Sequence, residues 1–310
     1  MISIIIPLYN KEGSIARTLQ TVFNQTCQDF EIVVVDDGST DKSIDVVKGI
    51  NDSRIRLISQ KNQGVSVARN VGIQEAKYDY IALIDADDEW LPCYLENQVE
   101  LIKKHPDCQI YASKYEVHDE EGVKPIVLNG IPFKEESGVL SNYFEVATYS
   151  SPPLWTSAVC FTKKAIQSVG GFPKGIKLGE DLITWAKLAC KYKIAYSLQV
   201  LAVYNIESFK QNTVPGKAPD VDDHVGVELS KLSKDPENAE NKFLRKYVAL
   251  WYKMRLNMYV RLGMKKEGYD AFLKSVRYNP FEAKIYIWLL LNILPRFLRE
   301  KILYRLAALK

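Results

Sequence analysis

Four carboxylates crowd the stretch I-A-L-I-D-A-D-D-E-W at residues 81–90, where an apolar run ends on Asp85, Asp87, Asp88 and Glu89. Like charges repel, so a fold that gathers them at the end of a buried strand needs a reason. Asp85 and Asp87 stand one residue apart, and two carboxylates at that spacing can approach a hard divalent cation. Mg²⁺ or Mn²⁺ takes one or two protein carboxylates and fills its other positions with water and phosphate oxygens. A cation held this way neutralises a leaving diphosphate. The competing reading is a surface turn with solvated charges, and the preceding Ala82-Leu83-Ile84 argues against it.

Other polar groups follow other apolar runs. In V-V-D-D-G-S-T-D, Asp36 and Asp37 come directly after a run of valines, and Gly38 lets the chain turn. A carboxylate here can accept from a base or ribose donor, or it can serve the turn and the cap of the next helix. Arg69, in N-Q-G-V-S-V-A-R-N, can contact a base or phosphate, or pair with an aspartate of the same rim. The chain has no G-x-G-x-x-G after its first strand, no G-x-x-x-x-G-K-[ST] and no G-x-S-x-G. This excludes a dinucleotide fingerprint, a P-loop and a nucleophile elbow.

The elements that must position these groups are short and apolar. Ser3–Ile6, Glu31–Val35, Ile55–Ile58 and Tyr80–Ile84 read as strands. Helical patterns over Lys11–Asn24, Asp41–Lys48, Val65–Glu75 and Leu91–Lys104 alternate with them. Strands apolar throughout, in a β-α-β-α order, predict an α/β fold with a mostly parallel, Rossmann-like sheet covered on both faces. Ligands of such sheets bind at the carboxyl ends of the strands. The three polar segments above, together with P-L-Y-N (7–10) after the first strand, fall there, so they predict one binding rim.

Composition narrows the class. The 310 residues carry a net charge of +3, too small to argue for nucleic acid. The five cysteines have no C-x-x-C pair and read as reduced and cytosolic, and the three histidines have no metal-ligand spacing. The opening M-I-S-I-I-I-P-L-Y-N lacks the basic start and length of a secretory leader. The most apolar run, Ile285 to Leu294, contains Asn292 and stops at Pro295, well short of the roughly 20 residues a membrane span needs. A chain that does not cross a membrane is expected.

The segments I-I-I-P-L-Y-N, V-V-D-D-G-S-T-D, N-Q-G-V-S-V-A-R-N-V-G and L-I-D-A-D-D, followed by G-G-F-P (170–173) and G-E-D-L-I-T-W (179–185), resemble in order and spacing the family 2 glycosyltransferases. The resemblance covers about residues 1–210. It implies an A-type glycosyltransferase fold and an inverting transfer from a nucleotide sugar. By position, it places Pro7 and Tyr9 at the nucleotide pocket and Asp36 and Asp37 at the nucleoside. Arg69 is implied at the base or diphosphate, and Asp85 and Asp87 form the D-x-D motif with Mn²⁺ or Mg²⁺ as cofactor. Of Glu180 and Asp181, Asp181 is implied as the catalytic base. Inverting transfer asks for these parts: a base for the acceptor hydroxyl, a cation on the departing diphosphate and no protein nucleophile. Many relatives carry a late histidine as a further metal ligand. The matching stretch here, A-V-Y-N-I-E-S-F-K, has none, which leaves Glu207, Asn205 or water for that position. Trp185, one turn beyond Asp181, fits an acceptor-pocket wall or core packing.

The expected organisation is a catalytic domain over 1–210, a Pro-, Asp- and Lys-rich lid or linker over 211–240, and a helical region over 241–310. The last helices interleave apolar residues with Arg296, Arg299, Lys301 and Arg305, a pattern that fits an anionic membrane surface or packing against the rest of the chain. The expected function is metal-dependent, inverting transfer from a UDP-sugar or other nucleotide sugar to a saccharide or lipid-linked acceptor in bacterial surface polysaccharide or glycolipid synthesis. The place expected for it is the cytoplasm or the inner face of its membrane. The alternatives are a non-catalytic nucleotide-sugar-binding module, which would show a damaged D-x-D or E-D pair, and a nucleotidyltransferase. The latter would carry a glycine- and lysine- or arginine-rich first loop, which P-L-Y-N-K-E is not.

Overall fold

The β-branched runs become strands because their branched side chains pack well on a pleated, buried surface. In the computed structural model of the chain, which describes residues 1–176, 178–206 and 222–307, β1 (Ile2–Leu8), β2 (Phe30–Asp36), β3 (Ile55–Ser59) and β4 (Tyr80–Leu83) follow the expected order. Between them run α1 (Ile15–Phe23), α2 (Ser43–Lys48) and α3 (Val65–Glu75). Then come β5 (Glu89–Trp90), α4 (Tyr94–Lys104), β6 (Ile110–Asp119), β7 (Gly122–Pro125), β8 (Ser137–Val139) and α5 (Tyr143–Tyr149). A 3₁₀ turn (Thr156–Ala158) leads into β9 (Val159–Thr162), α6 (Lys163–Ser168), α7 (Glu180–Lys191) and β10 (Ile194–Asn205).

The sheet runs β3-β2-β1-β4-β9-β6-β10-β5, with β7 beside β6 and β8 beside β10. β3, β2, β1 and β4 are mutually parallel, as are β6 and β10, while β9 runs antiparallel between β4 and β6. Successive side chains alternate faces. Ile4, Ile6, Leu8, Ile32 and Val34 pack with Ile15, Leu19 and Leu95 of α1 and α4. Ile5 and Val35 face α3, whose Gly72 lies so close that a methyl there would come within 2.3 Å of Ile5 Cγ2 and 3.3 Å of Val35 Cγ2. Helices therefore cover both faces, and the sheet is buried as its composition requires.

By contact the chain divides into two units, Met1–Ser208 and Phe209–Lys310. The second is helical: α8 (His224–Leu232), α9 (Lys242–Leu262), α10 (Lys265–Tyr278), α11 (Ala283–Ile293) and α12 (Arg296–Ala307). Its core joins Leu256, Val260, Phe272, Ile285, Leu291 and Leu303. Part of the stretch expected to be linker is thus helix, because Asp223 caps α8 by accepting from the Gly226 N–H at 3.0 Å. Residues 211–221 of that stretch lie outside the described residues. Pro295 divides the last apolar run into α11 and α12.

Candidate active site

The strand-end loops hold one another. Asn10, in the left-handed region at φ 50°, turns the chain after β1, and its Oδ1 accepts from Thr40 N at 2.8 Å. Asp36 accepts from the Gly38 and Ser39 amides at 3.3 and 3.1 Å. Asp37 accepts from Gln60 Nε2 at 2.7 Å and from the Gln63 and Gly64 amides at 2.9 and 2.8 Å, so it fixes the loop that opens α3. A cavity of about 380 Å³ opens among these ends, lined by Pro7, Tyr9, Lys11, Asp37, Asn62, Gly64, Val65, Arg69, Asp85 and Asp87. The first residues of α3 thus face it, and the free N–H groups of a helix start suit an anion. Of the residues expected to contact a nucleotide, Asp36 is the exception. At 1% exposure it sits behind the wall, spent on its own turn.

Arg69 pairs within the rim. It is 4% exposed, and its Nη2 donates to both oxygens of Asp85 at 2.9 and 3.1 Å while its Nη1 donates to Glu180 Oε1 at 3.1 Å. The guanidinium lies 5.2 Å from the centre of the Phe172 ring. Burial works against its charge, but Asp85 and Glu180 outweigh burial and hold it protonated. Pairing within the rim is one of the two roles read for it from the sequence, and Arg69 lines the cavity as well. The pairing carries the D-x-D loop to the start of α7, where Gly179 at φ 86° turns into the helix. Beside Glu180, Asp181 has its carboxyl pushed up to about 6 by burial and then by Glu180, against the pull of Arg69.

The acidic loop is held from several sides. Asp88, 1% exposed, accepts from Ser157 Oγ at 2.5 Å and Asn205 N at 3.1 Å, with Trp155 Nε1 at 3.4 Å. Ser157 Oγ in turn accepts from Asp85 N at 3.0 Å. Burial, followed by Asp85 and Asp87, pushes the Asp88 carboxyl up to about 8. Asn205 Nδ2 donates to the Asp87 carbonyl at 2.9 Å and to Glu89 Oε1 at 3.0 Å, so its amide braces the loop. Glu207 lies outside the described residues. Trp185, 2% exposed and edge-on to Phe172 at 5.6 Å, is core and not a pocket wall.

No three His, Cys, Asp or Glu side chains converge as a metal cluster among the described residues. The donors on the cavity wall that suit a hard cation are Asp85 and Asp87. Two carboxylate oxygens match what Mg²⁺ or Mn²⁺ asks of a protein when phosphate and water supply the rest. The set fits such an ion on that condition. Lys11 and Ser157 were not identified from sequence. Lys11 directly follows P-L-Y-N at a strand end, which is a usable signal, whereas nothing near Ser157 announces its role.

The model of the family "Glycosyl transferase family 2" matches residues 3–159, just over half of the chain. This chain belongs to glycosyltransferase family 2. Among family members it is 31% identical over 186 residues to glycosyltransferase GlyA of Streptococcus pneumoniae, covering 58% of this chain and 27% of that one. It is 29% identical over 195 residues to the Escherichia coli UDP-Glc:alpha-D-GlcNAc-diphosphoundecaprenol beta-1,3-glucosyltransferase WfaP, covering 62% of this chain and 71% of that one. Against Rickettsia bellii and Rickettsia conorii glycosyltransferases the matches span only 26% and 31% of the relatives' length. In fold, the chain superimposes on S. aureus TarS 1–349, solved with UDP-GlcNAc, with TM-score 0.73 at 20% identity, covering 89% of this chain and 81% of that one. The Pyrobaculum calidifontis mannosyltransferase PcManGT, solved with GDP-Man and Mn²⁺, gives TM-score 0.60 at 18% identity over 94% and 85%. These likenesses establish the A-type glycosyltransferase fold.

Proposed function

We propose that this family 2 chain transfers a sugar, with inversion, from a nucleoside-diphosphate sugar to a hydroxyl of a saccharide or lipid-linked acceptor in surface polysaccharide or glycolipid synthesis. UDP is the nucleotide we assign first, consistent with the UDP-GlcNAc held by TarS and the UDP-Glc named for WfaP. The observation that carries the reading is the Arg69 bridge, which ties the cavity carboxylate Asp85 to the acid pair at the start of α7. In this reading the donor-site carboxylate Asp85 and Glu180, the neighbour of the base, belong to one hydrogen-bonded unit.

In this reading the donor lies in the cavity with its base against Tyr9 and its nucleoside near Asp37. Its diphosphate lies toward Asp85 and Asp87, which would hold Mn²⁺ or Mg²⁺. The bound cation supplies the charge that a departing diphosphate needs. Asp181 takes the acceptor's hydroxyl proton as that oxygen bonds to the anomeric carbon and the bond from that carbon to the diphosphate oxygen breaks. A carboxylate held near 6 is ionised at neutral pH yet basic enough for the task. Glu180, paired with Arg69, sets the position of α7 and keeps a negative charge beside the base.

The working place we assign is the cytoplasm, with peripheral contact to the inner face of the membrane through α11 and α12. Among the described residues no helix is long and apolar enough to cross a bilayer. Incubating the protein with UDP-, GDP- and dTDP-sugars and Mn²⁺ or Mg²⁺, with and without EDTA, tests the reading. Metal-dependent release of nucleoside diphosphate from one donor, lost in Asp87→Ala and Asp181→Asn, is expected. A folded protein that binds no nucleotide sinks it.

A further inference from the structure

The carboxylates of the acidic loop are not neutralised alike. Asp85 is held by buried Arg69, Glu89 by Arg17 at 3.0 Å, and Asp88 by hydrogen-bond donors without a cation. Asp87 is met by Lys11, whose Nζ lies 2.5 Å from Oδ2. Of the two lysine and arginine pairings that are not buried, only the Lys11–Asp87 pair lines the donor cavity. Both its side chains keep access to solvent, at 32% and 24% exposure.

We propose that Lys11 is an exchangeable counter-cation: it holds Asp87 Oδ2 until a divalent cation takes that oxygen, and then turns its ammonium onto the donor diphosphate. The inference rests on the donor-site reading above. Two cations compete for one carboxylate oxygen, so a metal on Asp87 Oδ2 displaces Lys11 from it. The displaced ammonium has somewhere to go, because the Lys11 backbone is fixed at the wall of the cavity that its side chain lines. Lys11 N donates to Ser43 Oγ at 2.7 Å, and its carbonyl accepts from the Ser14 and Ile15 amides at 3.1 and 3.0 Å. A four-carbon stem from that pinned start covers the cavity it already lines. An ammonium suits such an exchange, being a compact point charge where a guanidinium would be a rigid fork. The wall charges agree: three carboxylates, Asp37, Asp85 and Asp87, face two cations, Arg69 and Lys11, and Arg69 is already committed. Lys11 is then the positive charge that a metal at Asp87 turns toward the diphosphate.

The test uses Mn²⁺ and UDP as probes on the full chain, with Lys11→Met, Lys11→Arg and Asp87→Asn. Mn²⁺ binding without nucleotide is followed by electron paramagnetic resonance, UDP binding in saturating Mn²⁺ by calorimetry, and folding by thermal denaturation. Lys11→Met is expected to bind Mn²⁺ about two- to fivefold more tightly, the scale of a partly exposed ion pair, and UDP in saturating Mn²⁺ about tenfold more weakly. Its melting temperature should be unchanged, and Asp87→Asn should lose the Mn²⁺ site. Unchanged or weaker Mn²⁺ binding by a folded Lys11→Met overturns the inference and leaves Lys11 a structural pin of the loop. If the wild type binds no UDP under any condition, the donor reading fails. The Mn²⁺ comparison still decides whether Lys11 competes for Asp87.

Discussion

Arg69 Nη1 lies 3.1 Å from Glu180 Oε1, joining residues 111 positions apart, while its Nη2 grips Asp85. One buried guanidinium thus sets the distance between the acidic loop after β4 and the start of α7. Without its two partners Arg69, 4% exposed, would be a charge stranded away from water.

Arg69→Lys should therefore be severe although it keeps the charge, because a single ammonium cannot reproduce the fork that spans both carboxylates. Breaking a buried, hydrogen-bonded charge pair costs about 3–5 kcal/mol. The chain is expected to lose stability of about that size in denaturant titrations, and donor turnover should fall more than a hundredfold. A variant that unfolds like the wild type and turns over donor normally would refute the bridge.

Asp181 gives a pH signature. Its carboxyl, raised to about 6 by burial and by Glu180, acts as a base only when ionised. Activity should accordingly rise with pH through about 6 and fall about tenfold for each unit below it. Asp181→Asn should abolish that limb along with most of the rate. For stability the sign is opposite. The folded chain keeps a proton that the unfolded chain releases near the ordinary aspartate range, so this group's contribution is largest at low pH and declines as pH rises through about 6. A rate that stays flat from pH 5 to 8 would remove Asp181 from the role of base.

The sequence made the first half of the fold legible because its signals are local. Val33–Val35 and Ile4–Ile6 can only be buried strands, and each is followed by a polar loop. The antiparallel insertion of β9 between β4 and β6 was not legible, since pairing partners far apart leave no local pattern. The same holds for Asp88, whose partners Ser157 and Asn205 stand 69 and 117 residues away. Arg69 was legible as a rim residue but not as a buried one, because two destinations were open to a side chain of its length. Helix α8 was hidden by the prolines and aspartates around it, although one of those aspartates, Asp223, is its cap.

Gly72 lends itself to a packing test. Alanine there would gain about 1 kcal/mol of helix propensity. Its methyl, however, would come 2.3 Å from Ile5 Cγ2 and force α3 off the sheet. Overpacking of this kind costs about 1–3 kcal/mol, and α3 carries Arg69 and the Gly64 end of the cavity. Gly72→Ala should be destabilised in urea titrations and weaker in donor binding, and removing the obstructing Cγ2 with Ile5→Ala should recover part of the donor binding. A stabilised Gly72→Ala would show that α3 does not approach the sheet this closely.

The last two helices test the assigned place of work. Tyr286, Leu290 and Ile293 recur at helical spacing on α11 and are 41%, 64% and 62% exposed, with Phe297 of α12 at 70%. Lys284, Arg296, Lys301 and Arg305 are exposed among them. An apolar stripe flanked by basic groups suits an anionic bilayer: the apolar side chains enter the interface, and each cation near it adds about 1 kcal/mol. The full chain is expected to co-sediment with vesicles rich in phosphatidylglycerol and much less with phosphatidylcholine vesicles. Leu290→Glu with Phe297→Glu should weaken that binding about tenfold or more without loss of folding, since both side chains already face solvent. Equal binding to both vesicle types would remove the electrostatic part. No binding, with the protein dimeric in solution and the double variant monomeric, would assign the stripe to a second copy of the chain instead.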